Sequence, residues 1–312
     1  MTRNSYAAGH FELRIDGHEP TAFVRSVEGG WSRAHITDDV IGSNRLRIKQ
    51  ITSVEIDPIT VEVGLTGSRD MLRWIQRSWN GSEHQGRNGQ ITYADFDMRA
   101  MFEHQFTNAL LVETTFPALD GASREGGYIT CKLQPESVAT NALSTPGARI
   151  QGVASALQKM WTPAAFRINI DGIPDMRFVN RLDPFTVTLQ TKKFHTGRHR
   201  LPEIVPLQIK FPNLTGTISL KYADSLIRWH KEYIRSIEGA GIKDTAAQKH
   251  GSIEFLSSDR SQTLFQINLT EVGLTHLCVE PAKANAEQIK RLKFELYVQK
   301  MSVEGSGLMG FA

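Results

Sequence analysis

One segment occurs twice in this chain, and that recurrence constrains the fold more than any other feature. Phe11-Glu-Leu-Arg-Ile-Asp-Gly17 returns as Phe166-Arg-Ile-Asn-Ile-Asp-Gly172. Each copy alternates apolar and polar residues and stops at Asp-Gly. That is the pattern of a half-buried strand entering a tight turn, where glycine supplies a positive φ at little steric cost. The spacing is 166 − 11 = 155, and Phe23-Val24 recurs as Phe178-Val179 at the same spacing. So does Leu72-Arg73-Trp74, as Ile227-Arg228-Trp229. Further on the register slips. Ile129 to Val138 aligns with Phe294 to Val303, at 294 − 129 = 165, so about ten residues are expected to be inserted in the second copy. Glu238 to Asp244 and Lys283 to Gln288, both loop-like, are the natural places. Fixed spacing over some sixty residues, tryptophan included, points to two copies of one module. The alternative is two unrelated β domains that share a short strand pattern.

The predicted elements agree with a duplicated module. In the first copy, strands are expected at Phe11 to Ile15, Thr21 to Glu28, Trp31 to Asp39, Leu46 to Ile51 and Ile59 to Leu65. Ser68 to Trp79 changes period: Met71, Leu72, Trp74, Ile75 and Trp79 share one helical face, with Ser68 placed to cap it and Asn80-Gly81 to stop it. Strands resume at Ile91 to Phe96, Met101 to Thr115 and Tyr128 to Pro135. The second copy repeats this order, with strands at 165–170, 176–182, 185–193, 203–210 and 215–221. Its helix is Asp224 to Ile237, followed by strands at 251–257, 262–269, 274–280 and 290–301. The expected organisation is a first module over 1–138, a linker over 139–164 with a short helix at Ala148 to Trp161, and a second module over 165–312. The fold class is mainly β: two tandem antiparallel barrel or sandwich modules, each with one amphipathic helix.

Composition narrows the function. With 36 basic and 33 acidic residues the net charge is +3, which argues against a dedicated nucleic-acid binder. Cys131 and Cys278 both lie in apolar, strand-like surroundings and read as small buried hydrophobes. The first ten residues lack the apolar core of a signal peptide, and no apolar run reaches bilayer length. The expectation is synthesis in the cytoplasm, with any release from the cell by a route other than general secretion.

Motifs that carry chemistry are absent from the sequence. There is no phosphate-binding glycine loop, no metal-spaced His or Cys pair and no nucleophile elbow. His195 and His199 lie on a turn without a third ligand. Arg198-His199-Arg200 reads as a solvated loop, and His230 as the polar side of a helix. Asp95, Asp97, Glu103 and His104 fall on alternating strand positions, where charge marks an exposed face. Asp16 and Asp171 each stand as a single acid in a turn, too few oxygens for calcium. The expectation is no enzyme activity, no cofactor and no metal.

A strand ending in Ile-Asp-Gly, followed by a Phe-bearing strand ending near Glu-Gly, resembles the opening of contractile-phage tail tube proteins. The same family includes the tubes of extracellular contractile injection systems and, more distantly, the haemolysin-coregulated protein of type VI secretion. Leu201-Pro202, the alternating Thr217 to Tyr222 and the helix Asp224 to Trp229 extend the resemblance, as do Ile59 to Leu65 and Asp70 to Trp74 in the first copy. It covers roughly 10–138 and 165–303. Its motif residues are Ile15, Asp16, Gly17, Phe23 and Trp74, and Ile170, Asp171, Gly172, Phe178 and Trp229. The resemblance implies a structural subunit whose sheets join those of its neighbours into a hexameric ring with a lumen, and rings that stack. Two modules in one chain depart from the family's single module. Three chains would then supply six modules, or six chains could stack two layers or place the second module outside the tube. The divergence of the copies favours a specialised terminal part (tube initiator, cap adaptor or plug) over the repeating inner tube protein. Implied partners are further copies of the chain, inner tube protein, and sheath, cap or baseplate proteins, with cargo in the lumen. A tube-fold effector loaded in the lumen and an enzyme on a duplicated barrel are the competing readings.

Overall fold

The computed structural model describes residues 9–17, 22–40, 47–64, 69–80, 86–142, 147–150, 161–195, 197, 201–240, 248–280 and 290–303. The first copy contributes β1 (His10–Ile15), β2 (Ala22–Glu28), β3 (Ser32–Val40), β4 (Arg47–Ile56), β5 (Ile59–Gly64) and helix α1 (Arg69–Trp79). After the helix come β6 (Arg87–Ala94), β7 (Ala100–Phe116), the two-residue β8 (Leu119–Asp120), β9 (Tyr128–Gln134) and β10 (Ser137–Ala142). The second copy contributes β11 (Phe166–Ile170), β12 (Val179–Leu182), β13 (Phe185–Phe194), β14 (Glu203–Lys210) and β15 (Leu214–Ser219). Helix α2 (Asp224–Ala240) follows, then β16 (Lys249–Leu256), β17 (Thr263–Val279) and β18 (Arg291–Val303).

The duplication holds at the level of strand register. Val24 faces Val63 across β2 and β5, and Val179 faces Ile218 across β12 and β15, each residue 155 positions from its counterpart (179 − 24 and 218 − 63). Even the bulge recurs, between Val24 and Ser26 and between Val179 and Arg181. Later strands correct the expected slip. Leu13 pairs with Ile91 and Ile168 with Ile253, so the spacing at the strand after the helix is 253 − 91 = 162. Leu111 pairs with Leu133 and Leu274 with Leu296, so from there on it is 296 − 133 = 163. Ile129 therefore corresponds to Leu292, not Phe294. Seven of the extra residues precede β16: six lengthen α2, which has 17 residues against 11 in α1, and one falls between α2 and β16, on the side of the Glu238 to Asp244 candidate. The Lys283 to Gln288 segment accounts for none, because the spacing is the same on both sides of it.

The first module closes on itself. Its strands run β7-β6-β1-β2-β5-β9, and β9 pairs back onto β7, so six strands form a barrel without an open edge. The second module runs β11-β16-β17-β18-β15-β12 and does not close among the described residues. The segment that would pair β12 with β11 is a 3-10 helix, Pro174–Phe178. Pro174 locks φ and lacks the N–H that a ladder needs, so the chain coils there instead of continuing the strand. This corrects the strand expected at 176–182: only Val179–Leu182 is extended, and Phe178 sits in the 3-10 turn. The strands expected at 262–269 and 274–280 are one strand of 17 residues, β17. The start of the linker is also strand, since β10 pairs along β7 from Ser137↔Thr107 to Ala142↔Phe102. Most of the short helix expected at Ala148 to Trp161 lies outside the described residues, as do Ser68 and Gly81.

Most buried apolar residues of both modules form one continuous core. Met71, Leu72, Trp74, Ile75 and Trp79 of α1 are all buried, as the helical spacing predicts. Phe116, fully buried, stacks on Phe185 at 5.0 Å and lies 5.3 Å from Phe255 and 6.0 Å from Phe265. One side chain of the first copy thus packs against three of the second. Trp161, between the modules in sequence, is buried against Phe255 and over Gly127.

Candidate assembly interface

The two modules are sewn together by exchanged strands. The hairpin β13–β14 belongs by sequence to the second copy but extends the sheet of the first. Phe185, Thr186, Val187 and Thr188 of β13 pair with Phe116, Thr115, Thr114 and Glu113 of β7. The pairing begins just past the point where β6 leaves β7, at Arg87↔Ala109. β7 is longer than its neighbour, and its overhanging backbone groups need partners that the hairpin provides. In return, β8 of the first copy pairs with β12 of the second (Leu119↔Leu182, Asp120↔Arg181), and the Gly121 amide donates to the Asn180 carbonyl at 3.0 Å.

Side chains reinforce this seam. The Thr115 and Thr186 hydroxyls share a hydrogen bond of 2.8 Å. Leu110 and Val112 of β7 pack with Leu189 and Ile204 of the hairpin in a separate small apolar cluster. The Ile204 amide donates to the Glu136 carboxylate at 3.2 Å, and the Lys193 ammonium pairs with Glu55. Lys193 and His35 together hold the Glu55 carboxyl below the usual carboxylate range, mainly through their hydrogen bonds to it. Across the seam, α1 meets the second copy: Trp79, 5.9 Å from Phe116 of its own module, lies 6.3 Å from Phe211. The side-chain amides of Gln76 and Asn80 donate to the Val303 carbonyl at 3.3 and 3.5 Å.

The counterpart of the inserted hairpin is β3–β4, and the two match residue for residue. Arg33 faces Glu55 as Thr188 faces Lys210, and Ile36 faces Ile51 as Thr191 faces Pro206, again 155 apart (188 − 33 and 206 − 51). The environments are opposite. β13 buries Phe185, Val187 and Leu189, whereas β3–β4 stands as a two-stranded sheet of its own. Ile36 and Ile51, midway along it, are 60% and 68% exposed.

The ten motif residues have other work. Ile15 and Ile170 are buried core residues. Asp16 has φ 53°, and its carboxylate accepts from the Arg87 guanidinium and, at 3.2 Å, from the Asn88 amide. Asp171 keeps the backbone bond of its counterpart: its amide donates to the His250 carbonyl at 2.9 Å, as the Asp16 amide does to Asn88 at 2.7 Å. Gly17 and Gly172 share φ 75°, as an Asp-Gly turn requires. Trp74 and Trp229 are the buried anchors of α1 and α2. A cation from the same repeat position lies over each ring, Arg87 and Lys249, both at 6.0 Å. Phe23 pairs with Glu12 in the β1–β2 ladder, while Phe178 stacks on Tyr222 at 4.4 Å.

The seam rests instead on Phe116, Phe185, Phe211 and Trp79. A signal for the first three is present in the chain. Each Phe adjoins a proline, in Phe116-Pro117, Pro184-Phe185 and Phe211-Pro212, where a ladder must stop and a large ring can turn into another sheet.

The polar residues weighed for chemistry resolve into structural roles. Glu103 and His104 point to opposite faces of β7. The His104 ring is buried against Trp31 at 4.7 Å, Phe102 at 5.4 Å and Tyr93 at 5.5 Å, and its Nδ1 bonds the Thr140 hydroxyl at 2.7 Å. Burial lowers its pKa below the ordinary histidine value. The Asp95 carboxylate accepts the amides of Asp97 and Arg99 at 2.9 and 2.8 Å, closing a turn. Cys131 is fully buried, which pushes its thiol up to about 12. His195 is exposed, and His199 lies outside the described residues.

No protein-family model matches the chain, and no curated protein matches it. Among solved structures it is similar to the sheath/tube terminator of an extracellular contractile injection system, PVC, in the extended state. That match has 17% identity over 46% of this chain and 100% of the other, with a TM-score of 0.39. It is similar to the tube-terminating cap of the anti-feeding prophage at 16% identity, over 48% of this chain and 95% of the other, with a TM-score of 0.39. It is also similar to Hcp1 from Flavobacterium johnsoniae at 14% identity, over 45% of this chain and 95% of the other, with a TM-score of 0.27.

Proposed function

We propose that this chain is a structural, non-enzymatic subunit of the inner tube of a contractile tail or injection machine. It forms a ring around a lumen as a specialised terminal part of the tube. The observation that carries this reading is the seam between the modules. A module of this fold offers a hairpin to the sheet of another module and receives strand pairing in return. A unit that both donates and accepts a strand edge is suited to head-to-tail assembly, which closes into a ring when the rotation per unit permits.

The terminal placement is supported by the inequality of the two modules. One barrel is closed and the other open, one hairpin joined to a larger sheet and the other standing alone. A ring of alternating unlike modules presents axial faces with threefold repeat, unlike a ring of six identical modules. Such a ring suits a position filled once, at a tube end, next to inner tube protein on one face and cap, sheath or baseplate protein on the other.

The test is the particle itself. Purified protein examined by negative-stain microscopy should show rings with a central hole, and light-scattering mass should give three chains. A monodisperse monomer at high concentration that also ignores inner tube protein overturns the reading.

A further inference from the structure

The geometry points to a defined joint between copies: we infer that the β3–β4 hairpin of one chain adds to the overhanging end of β17, His276–Val279, in a second copy of the same chain. The joint repeats between chains the seam already present within one. The inference rests on the ring reading and specifies which strands close the ring.

The argument is one of equivalence. β17 corresponds to β7 at a spacing of 163, so His276–Val279 stands where Glu113–Phe116 receives β13 (276 − 113 and 279 − 116). The overhang recurs as well. β16 leaves β17 at Lys249↔Val272, while β18 follows it to Val279↔Leu292. Among the described residues no strand lies on the other side of 273–279. The strand that would fill that place within a module pair is the equivalent of β13, which is β3. At the spacing of 155, Phe185–Thr188 becomes Gly30–Arg33. Gly30 itself has φ 80° and is buried, so the ladder starts after it: antiparallel pairing sets Trp31 against Cys278, Ser32 against Leu277 and Arg33 against His276.

Exposure agrees at three independent places. Val279 is 52% exposed where its counterpart Phe116 is fully buried by the seam. Trp31, at the head of the free hairpin, is 54% exposed. Ile234 of α2 is 37% exposed where its counterpart Trp79 (234 − 79 = 155) is buried at 3% between the copies. These are the positions that a repeated seam would cover. Within one chain the described strands leave this seam unmade: β3–β4 pairs only with itself, and β7 is occupied by the chain's own β13. A second copy supplies the missing hairpin, and β3–β4 finds its sheet.

The joint can be tested with a native thiol. Trp31 and Cys278 take the places of Thr186 and Thr115, whose side-chain oxygens are 2.8 Å apart. Side chains that close across an antiparallel pair are within reach of a disulfide. The variant Trp31→Cys, oxidised mildly, should run on a non-reducing gel mainly as a covalent multimer ending at three chains. Reduction or the additional change Cys278→Ser should return it to monomer. Ser32→Cys with Leu277→Cys, in the Cys278→Ser background, should cross-link likewise if Trp31 itself is needed for folding. Trp31→Cys with Val279→Cys in that same background is one residue out of register and should cross-link at least ten-fold less. Rings by microscopy without either in-register cross-link overturn this joint and leave the ring reading standing. Neither rings nor cross-links overturn both.

Discussion

Gly127 has no room for a side chain: a Cβ there would come within 1.8 Å of the Trp161 ring. Trp161 is the buried residue that links the modules, and its indole N–H donates to the Ala165 carbonyl at 3.4 Å. Gly127→Val should therefore destabilise the fold by roughly 2–3 kcal/mol, through overpacking against a ring that cannot move away. Chemical denaturation followed by tryptophan fluorescence measures it, and an unchanged midpoint would show that the ring can shift. The two Asp-Gly turns offer a matched pair. Asp16 occupies a positive φ and takes two hydrogen bonds, whereas Asp171 is absent from the positive-φ residues. Asp16→Ala should cost about 1–2 kcal/mol in strain and lost bonds, and Asp171→Ala about 0.5 kcal/mol or less. Equal losses would mean that φ does not distinguish the turns. His104 adds a pH term. Its folded pKa lies below its unfolded value, because burial penalises the charged ring. The unfolded chain thus binds a proton that the folded chain refuses, and stability falls as pH drops below the unfolded value of about 6.5. His104→Phe should flatten the loss between pH 7.5 and 5 relative to the parent in denaturation curves. A slope unchanged by the substitution assigns the acid sensitivity to other groups.

At the scale of elements, α1 and the inserted hairpin hold the modules together alongside Trp161 of the connecting chain. Trp79 is buried between Phe116 and Phe211, so Trp79→Ala removes a large ring from the seam and should cost about 3–5 kcal/mol. If it uncouples the modules, the thermal transition should split in two, one for each module. A single transition at lower temperature would instead show that the shared core around Phe116 keeps the modules cooperative. The elements also show where sequence patterns were informative. Helix α1 was legible because five apolar residues at helical spacing exceed what a strand could place on one face. β12 was not, since Phe178-Val179 copies the pattern of Phe23-Val24 while Pro174 overrides it. β10 was hidden because Ala139 to Ala142 lacks apolar alternation. Its ladder comes from the neighbouring backbone of β7, not from its own side chains.

For the whole molecule, the unlike modules predict the symmetry of the assembly. Three chains of alternating modules should give class averages with threefold symmetry and a six-lobed outline. Sixfold averages of six chains would favour stacked layers or an outlying second module. Shortening the β3–β4 tip beyond Ile36 and Ile51, the most exposed apolar pair, should leave monomer stability unchanged within about 0.5 kcal/mol, as for other exposed surface sites. Ring formation should persist as well, because the deletion spares the base of the hairpin at Trp31–Arg33; its loss would place the contact farther out along β3–β4. The candidate interface was largely invisible in the sequence: the motif residues shared by the copies are core and turn residues, whereas the seam uses residues in which the copies differ. Phe185 has Gly30 as its counterpart, Val187 has Ser32, and Leu189 has Ala34 (189 − 34 = 155).

What the sequence determined alone is the local and the repeated: the recurring segments, most of the strands, the helix in each copy, and the Asp-Gly turns. These follow from side-chain period and from turn chemistry, which act over a few residues. The tertiary structure decided which strand meets which. An alternating strand has the same pattern whichever edge it joins, and the hydrogen bonds that choose the edge run between backbones far apart in the chain. So the exchange of β13 and β8 between modules, the closure of one barrel and not the other, and the hairpin left without a sheet appear only when both modules are packed around Phe116.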